Sequence, residues 1–170
     1  GIKTLESALQ VFRRSNDRQG CIECLAALLV ASFIGFRGLD TMDRWLDELL
    51  AEIHPSPSFA SENVELRVWG VLCMALLHVR PWHPLTISSY QRVEELLPHC
   101  SDTSVALAAA MGALIVSGLC GDFERGDRVA RATESLALQD TASPTEAAWW
   151  FAQVGYLRFV QARYEEALDS

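Results

Sequence analysis

Lysine is almost missing from this chain. Lys3 is the single lysine among 14 basic residues, which face 22 acidic ones for a net charge of −8. That acidic balance excludes a general nucleic-acid surface and leaves only local arginine clusters to consider. Proline is scarce at six residues. Alternating runs of β-branched residues, which mark half-buried strands, do not occur. The five cysteines, at 21, 24, 73, 100 and 120, are an odd and scattered set. They make no disulfide framework and point to a reducing, cytoplasmic setting. The first residues open straight into a polar–apolar helical pattern, so no signal peptide is read.

Catalytic signatures are missing too. There is no G-x-S-x-G, no P-loop, no H-E-x-x-H and no strand leading into a Gly-rich turn. What is present is bulk: 170 residues, half of them apolar, enough for one domain with a sizeable core.

Two stretches invite sharper readings. Cys21-Ile22-Glu23-Cys24 has the spacing of a redox dithiol or half a zinc site. No second close pair completes a zinc set, and the surrounding "RQGCIECLAALLVASF" is helical throughout. On a helix, positions i and i+3 share a face, so the pair is expected to pack as small core residues. Thr103 to Gly121 runs 19 residues without a charge, near the length of a membrane span. Its flanks are Asp102, Asp122 and Glu124, without basic anchors, so a buried helix is expected and no membrane contact.

The periodicity is helical almost everywhere. Expected helices cover about 4–14, 18–36, 39–53, 62–79, 85–97, 103–119, 123–138 and 145–161, and "RYEEALDS" begins a ninth. Short turns at Arg37–Asp40, Arg80–His83, Gly121–Glu124 and Ala162–Glu165 start at 37, 80, 121 and 162. Longer polar breaks fall between them, at Pro55–Ser61, Pro98–Asp102 and Asp140–Pro144. Short turn, helix, longer loop, helix describes an array of antiparallel helix pairs, with repeats at about 1–53, 61–97, 103–139 and an incomplete 144–170. One pair cannot bury its own apolar faces, so neighbours must stack. The expected fold is all-α, a right-handed α-solenoid. The pattern is already running at the first residues and still running at the last, which predicts a segment of a larger protein.

"WWFAQVGYLRFVQARYEEAL" resembles a tetratricopeptide-like repeat. Phe151, Val154 and Gly155 fall where that motif places its first-helix aromatic, aliphatic and glycine. Tyr164 and Ala167 match the opening of its second helix, while Arg158 stands where an aromatic is usual. Ala26, Leu29, Val30 and Phe33 fit another first helix, Ala110 and Ala113 fit more loosely, and Gly126 takes a small-residue position. The period of about 42 exceeds the ~34 of an ordinary repeat. It is similar to the longer repeats of maltose-regulator-type bacterial transcription activators and related signalling ATPases; HEAT-type repeats share the period. The resemblance implies a non-catalytic scaffold that binds a protein, peptide or small effector, with other domains of the same polypeptide as further partners. It implies no cofactor. It also implies transcription regulation or signalling in a bacterial cytoplasm, with self-association as the alternative role.

The candidate residues are weighed on that frame. His54, His83 and His99 adjoin prolines in loops, and His78 ends a helix, so no metal spacing arises. Asp40, Asp43, Asp47 and Glu48 surround Arg44 as on a solvated helix face. Arg125-Gly126-Asp127 spells an adhesion tripeptide, but it falls on the first turns of a helix rather than in a hairpin loop. Arg125, Arg128 and Arg131 form a row that suits an anion or an acidic partner. In tetratricopeptide-like arrays the first helices line a concave groove. The carried register puts Trp69, Cys73, Met111, Ile115, Trp149, Tyr156 and Phe159 on that groove. The competing reading places these rings in the core between neighbouring repeats. A groove so lined suits an apolar helix, peptide or organic effector. It does not suit the carboxylate clamp of chaperone-binding repeats, for want of lysine.

Overall fold

The computed structural model describes residues 1–35, 38–54, 58–140 and 142–169. Among them lie nine α-helices and no strand. They are α1 (Ile2–Arg14), α2 (Arg18–Ile34), α3 (Leu39–Ile53), α4 (Glu62–Val79), α5 (Leu85–Leu96), α6 (Thr103–Cys120), α7 (Phe123–Ala137), α8 (Pro144–Val160) and α9 (Tyr164–Leu168). The all-helical expectation holds, and α3 and α4 run over the residues their apolar stripes predicted. Helix five ends one residue early, because Pro98 tightens Leu97–His99 into a 3-10 turn. Phe36 and Arg37, Pro55 to Pro57 and Thr141 lie outside the described residues, and with them parts of one short turn and two of the longer breaks.

Local chemistry sets the helix ends. Asp17, Ser61 and Asp102 accept hydrogen bonds from the amides of Gly20, Val64 and Val105, capping α2, α4 and α6. Pro144 opens α8 at a position where no amide is needed. Three helices close in the same way. After α1, α6 and α8, a residue with positive φ (Asn16, Gly121, Ala162) lets the next amide reach back five residues. The bonds are Asp17 N to Phe12 O at 2.9 Å, Asp122 N to Ser117 O at 3.0 Å and Arg163 N to Arg158 O at 2.9 Å.

The packing follows one rule along the chain. α2 touches α4, α4 touches α6 and α6 touches α8; α3 sits on α2 and α4, α5 on α4 and α6, α7 on α6 and α8. α1 packs on α2, and α9 on α8. The helices with a neighbour on each side are apolar nearly all round, whereas α3 and α7 keep a charged outer face. This explains the uncharged stretch at α6. It is long and apolar enough to cross a membrane, yet 56% of it is buried among its neighbours.

Glycines bring the central pair close. A methyl group on Gly70 would lie 2.6 Å from the Cα of Ala109, and one on Gly112 would lie 2.7 Å from the carbonyl oxygen of Gly70. Cys21 and Cys24 both lie in the core, where burial raises both thiols above their ordinary range.

Arginines tie the charged outer faces together. Arg13 pairs with Glu48 and Arg44 with Glu6 between α1 and α3. Arg80, just past α4, spans Asp43 and Asp47 of α3 at 2.6 Å each. Glu94 of α5 takes both Arg125 and Arg128 of α7, at 2.9 and 2.7 Å. Arg163, at the start of α9, reaches Asp127 of α7 at 3.2 Å.

Candidate functional site

The site is built on α8, where one of two adjacent tryptophans is buried and the other is exposed. Trp150 is 2% exposed, and its indole N–H donates to Thr133 Oγ1 of α7 at 2.8 Å. With Val154 and Leu157 it forms the buried side of the helix. Trp149 is 50% exposed, and Tyr156 and Phe159 are 36% and 58% exposed. Ala152 lies exposed between them. The four positions step by three, four and three residues, so they form one stripe opposite the core. Its companions on that side, Thr145, Ala148, Gln153 and Val160, are uncharged. Tyr164 of α9 extends the patch, its ring meeting that of Phe159 edge-on at 5.6 Å.

The stripe continues onto α6. Ser104 donates to Glu146 at 2.8 Å, and the Tyr156 ring covers Gly118 so closely that a Cβ there would lie 3.0 Å from it. These two contacts set α6 and α8 side by side, and Met111, Ile115 and Gly118 follow one another at helical steps of four and three, on the side of α6 that the Tyr156 ring meets. Met111 and Ile115 are half-buried. Trp149, Tyr156 and Phe159 lie on the exposed face of α8, and Met111 and Ile115 lie on the side of α6 that Tyr156 approaches.

Trp69 and Cys73 do not join it. Trp69 is 9% exposed, its indole donating to Glu65 and its ring held edge-on by Phe59. Cys73 is fully buried, its thiol donating to Ser89 Oγ at 3.5 Å. Burial pushes that thiol up to about 12, and the Ser89 hydrogen bond offsets only part of the rise. Neighbouring elements enclose both side chains: Cys73 meets Ser89 of α5 and lies where Gly112 of α6 approaches, and Trp69 lies against Phe59.

The Arg-Gly-Asp tripeptide is structural. Arg125 pairs with Glu94 and Asp122 and lies over the Tyr90 ring at 5.1 Å. Gly126 is enclosed by Ser117 and Leu157, and Asp127 takes Gln161 and Arg163. Of the arginine row, Arg128 is likewise drawn into a pair, on Glu94. Arg131 lines a small cleft of about 140 Å³ between α7 and α8, along with Glu134 and Trp150.

Sequence reasoning missed a second hollow. A cavity of about 470 Å³ lies among Leu50, Ile53, His54, Trp69, His83 and Leu85. Its residues come from three separate stretches of chain, and no local spacing announces it. His78 is elsewhere, its ring on Phe33 and its Nδ1 at 2.7 Å from the carbonyl of Met74. Among the described residues no group of three or more His, Cys, Asp or Glu side chains is placed to hold a metal ion.

The fold and surface thus define an all-helical chain with an apolar aromatic strip. Comparison with known proteins finds no matching family model, no matching curated protein and no matching solved structure.

Proposed function

We propose that this chain is a non-catalytic binding scaffold: a right-handed α-solenoid of tetratricopeptide-like helix pairs that docks an apolar helix or peptide on the strip formed by α6 and α8. The observation that carries this reading is the exposed row Trp149, Tyr156 and Phe159, continuous with Met111 and Ile115. Large aromatic side chains supply much of the energy of protein interfaces and rarely stand in an exposed row without use. Helix-in-groove recognition reads anchors at such three- and four-residue steps. Near the strip, Glu146 accepts from Ser104 and Arg158 donates to the carbonyl of Glu166. The alternation of short turn and longer break, and the resemblance of 144–170 to a tetratricopeptide-like repeat, support reading the chain as the regulatory segment of a bacterial cytoplasmic transcription regulator or signalling protein. Its other domains would then read the state of the scaffold.

A display library of amphipathic helical peptides tests the docking strip. Wild-type protein is expected to select peptides with apolar residues at i, i+3, i+4 and i+7. Tyr156→Arg, with unchanged helical circular dichroism, is expected to bind the selected peptides at least about tenfold more weakly, as for loss of one hot-spot side chain. Failure to select any such peptide, or equal binding by the variant, sinks the proposal.

A further inference from the structure

Ion pairs join helices that stand two apart along the chain. Arg13 and Arg44 tie α1 to α3 through Glu48 and Glu6, Glu94 of α5 takes Arg125 and Arg128 of α7, and Asp127 of α7 takes Arg163 at the start of α9. Between α3 and α5 the described residues form no such pair. Arg80 reaches Asp43 and Asp47 of α3 from the turn, and Arg92 of α5 goes to Glu65 of α4. The cavity of about 470 Å³ lies where these three helices meet, with walls from Leu50 and Ile53 of α3, Trp69 of α4 and Leu85 of α5. Its size is that of a pocket for a small organic molecule. Its largest wall is held in advance, because Trp69 Nε1 donates to Glu65 at 3.2 Å and its ring meets Phe59 edge-on at 6.3 Å. Little ordering cost then falls on a ligand.

Two imidazoles set the chemistry of that ligand. His83 Nδ1 accepts from the amide of Leu85 at 3.2 Å, which leaves the ring proton on Nε2. The nitrogen still open on His83 is therefore a donor, and it asks for an acceptor. His54, just past α3, lines the same cavity, and its ring has no hydrogen-bond partner among the described residues. A molecule that fits is apolar over most of its surface and accepts hydrogen bonds at one end. The nearby carboxylates do not oppose an anionic end, since Asp43 and Asp47 pair with Arg80, Glu52 with Arg18 and Glu65 with Arg92.

We propose that this cavity is a binding site for a small aromatic monocarboxylate, its ring against Trp69, Leu50 and Leu85 and its carboxylate on His83 and His54. Such a molecule touches α3, α4 and α5 together and supplies the tie that no ion pair makes between α3 and α5. The test is calorimetric titration of the full chain with phenylacetate and indole-3-acetate, and with toluene and 3-methylindole as counterparts without the carboxylate. At least one carboxylate is expected to bind saturably, at least about tenfold tighter than its counterpart, as for a hydrogen bond to a charged group. His83→Ala is expected to weaken that binding by about the same factor. Ala51→Trp, at an exposed position of the lining, is expected to fill the cavity and abolish binding, with helical circular dichroism unchanged. Should Ala51→Trp not fold, His83→Ala decides. Tyr156→Arg is expected to bind the carboxylate as wild type does, so this site and the strip on α6 and α8 fail or stand separately. No saturable binding of either carboxylate, equal binding of the counterparts, or unchanged binding in His83→Ala or in folded Ala51→Trp overturns the proposal.

Discussion

Gly121 and Ala162 are 41 residues apart and hold the same place in two turns, but only one of them is suited to it. Gly121 has φ 73°, and nothing lies within 4 Å of where its Cβ would be. Ala162 adopts φ 61° with a Cβ in place. The left-handed region costs an L-residue roughly 1–2 kcal/mol, against a smaller entropic cost for glycine. Ala162→Gly is therefore expected to raise unfolding stability by about 0.5–1 kcal/mol, and Gly121→Ala to lower it by about 1 kcal/mol. Urea denaturation of both variants measures this. Equal shifts of the same sign would show that the two turns are not equivalent. The arginine bias also resolves at this scale. A guanidinium forks to two acceptors where an ammonium is a point charge. Arg80 uses that fork across Asp43 and Asp47, and Arg163 reaches Asp127 and Glu166 together. These pairs are largely solvated, so their contribution is orientation between helices more than stability.

At the scale of elements, the close crossing of α4 and α6 is the most demanding packing in the chain. Alanine is favoured over glycine in a helix interior by about 1 kcal/mol. At Gly70 and Gly112 the added methyl meets backbone atoms of the other helix, which cannot swing aside as a side-chain end can. Overpacking of that kind costs about 1–3 kcal/mol or more, so sterics outweigh propensity. Gly70→Ala and Gly112→Ala are each expected to lose about 1–2 kcal/mol net in thermal or urea unfolding. The double variant is expected to be non-additive, because the two sites share one contact. A gain in stability from either would mean that the helices separate at no cost.

Helix boundaries were legible in the sequence because caps, prolines and apolar stripes are local signals, as at Ser61, Pro144 and α3. The face that α4 turns to its neighbours was not. Trp69 and Cys73 lie in the core because the groups that enclose them, such as Ser89 and Gly112 around Cys73, come from elements distant in sequence. At α8 the local spacing of 149, 156 and 159 was enough to put the three aromatics on one helix face, and that face is exposed. The cavity beside Trp69 was invisible, since its walls meet only through tertiary packing.

For the whole molecule, the chain of contacts from α2 to α8 implies a gradient of stability. In stacked arrays each unit gains most of its stability from its neighbours, so units with two neighbours are held more firmly than those with one. α4 and α6 have helices on both sides, whereas α9 is five residues long and packs on α8. Short helices are marginal without tertiary support. Amide hydrogen exchange is therefore expected to be slowest in α4 and α6, faster in α1 and fastest in α9, with local opening free energies that fall toward the ends. Uniform protection from α1 to α9 would indicate a single cooperative bundle and count against stacked pairs. A gradient leaves α8 at the yielding end of the row, carrying the aromatic strip. Whatever covers that strip would then stabilise the part of the molecule with least support of its own, and so couple docking to the order of the terminal helices.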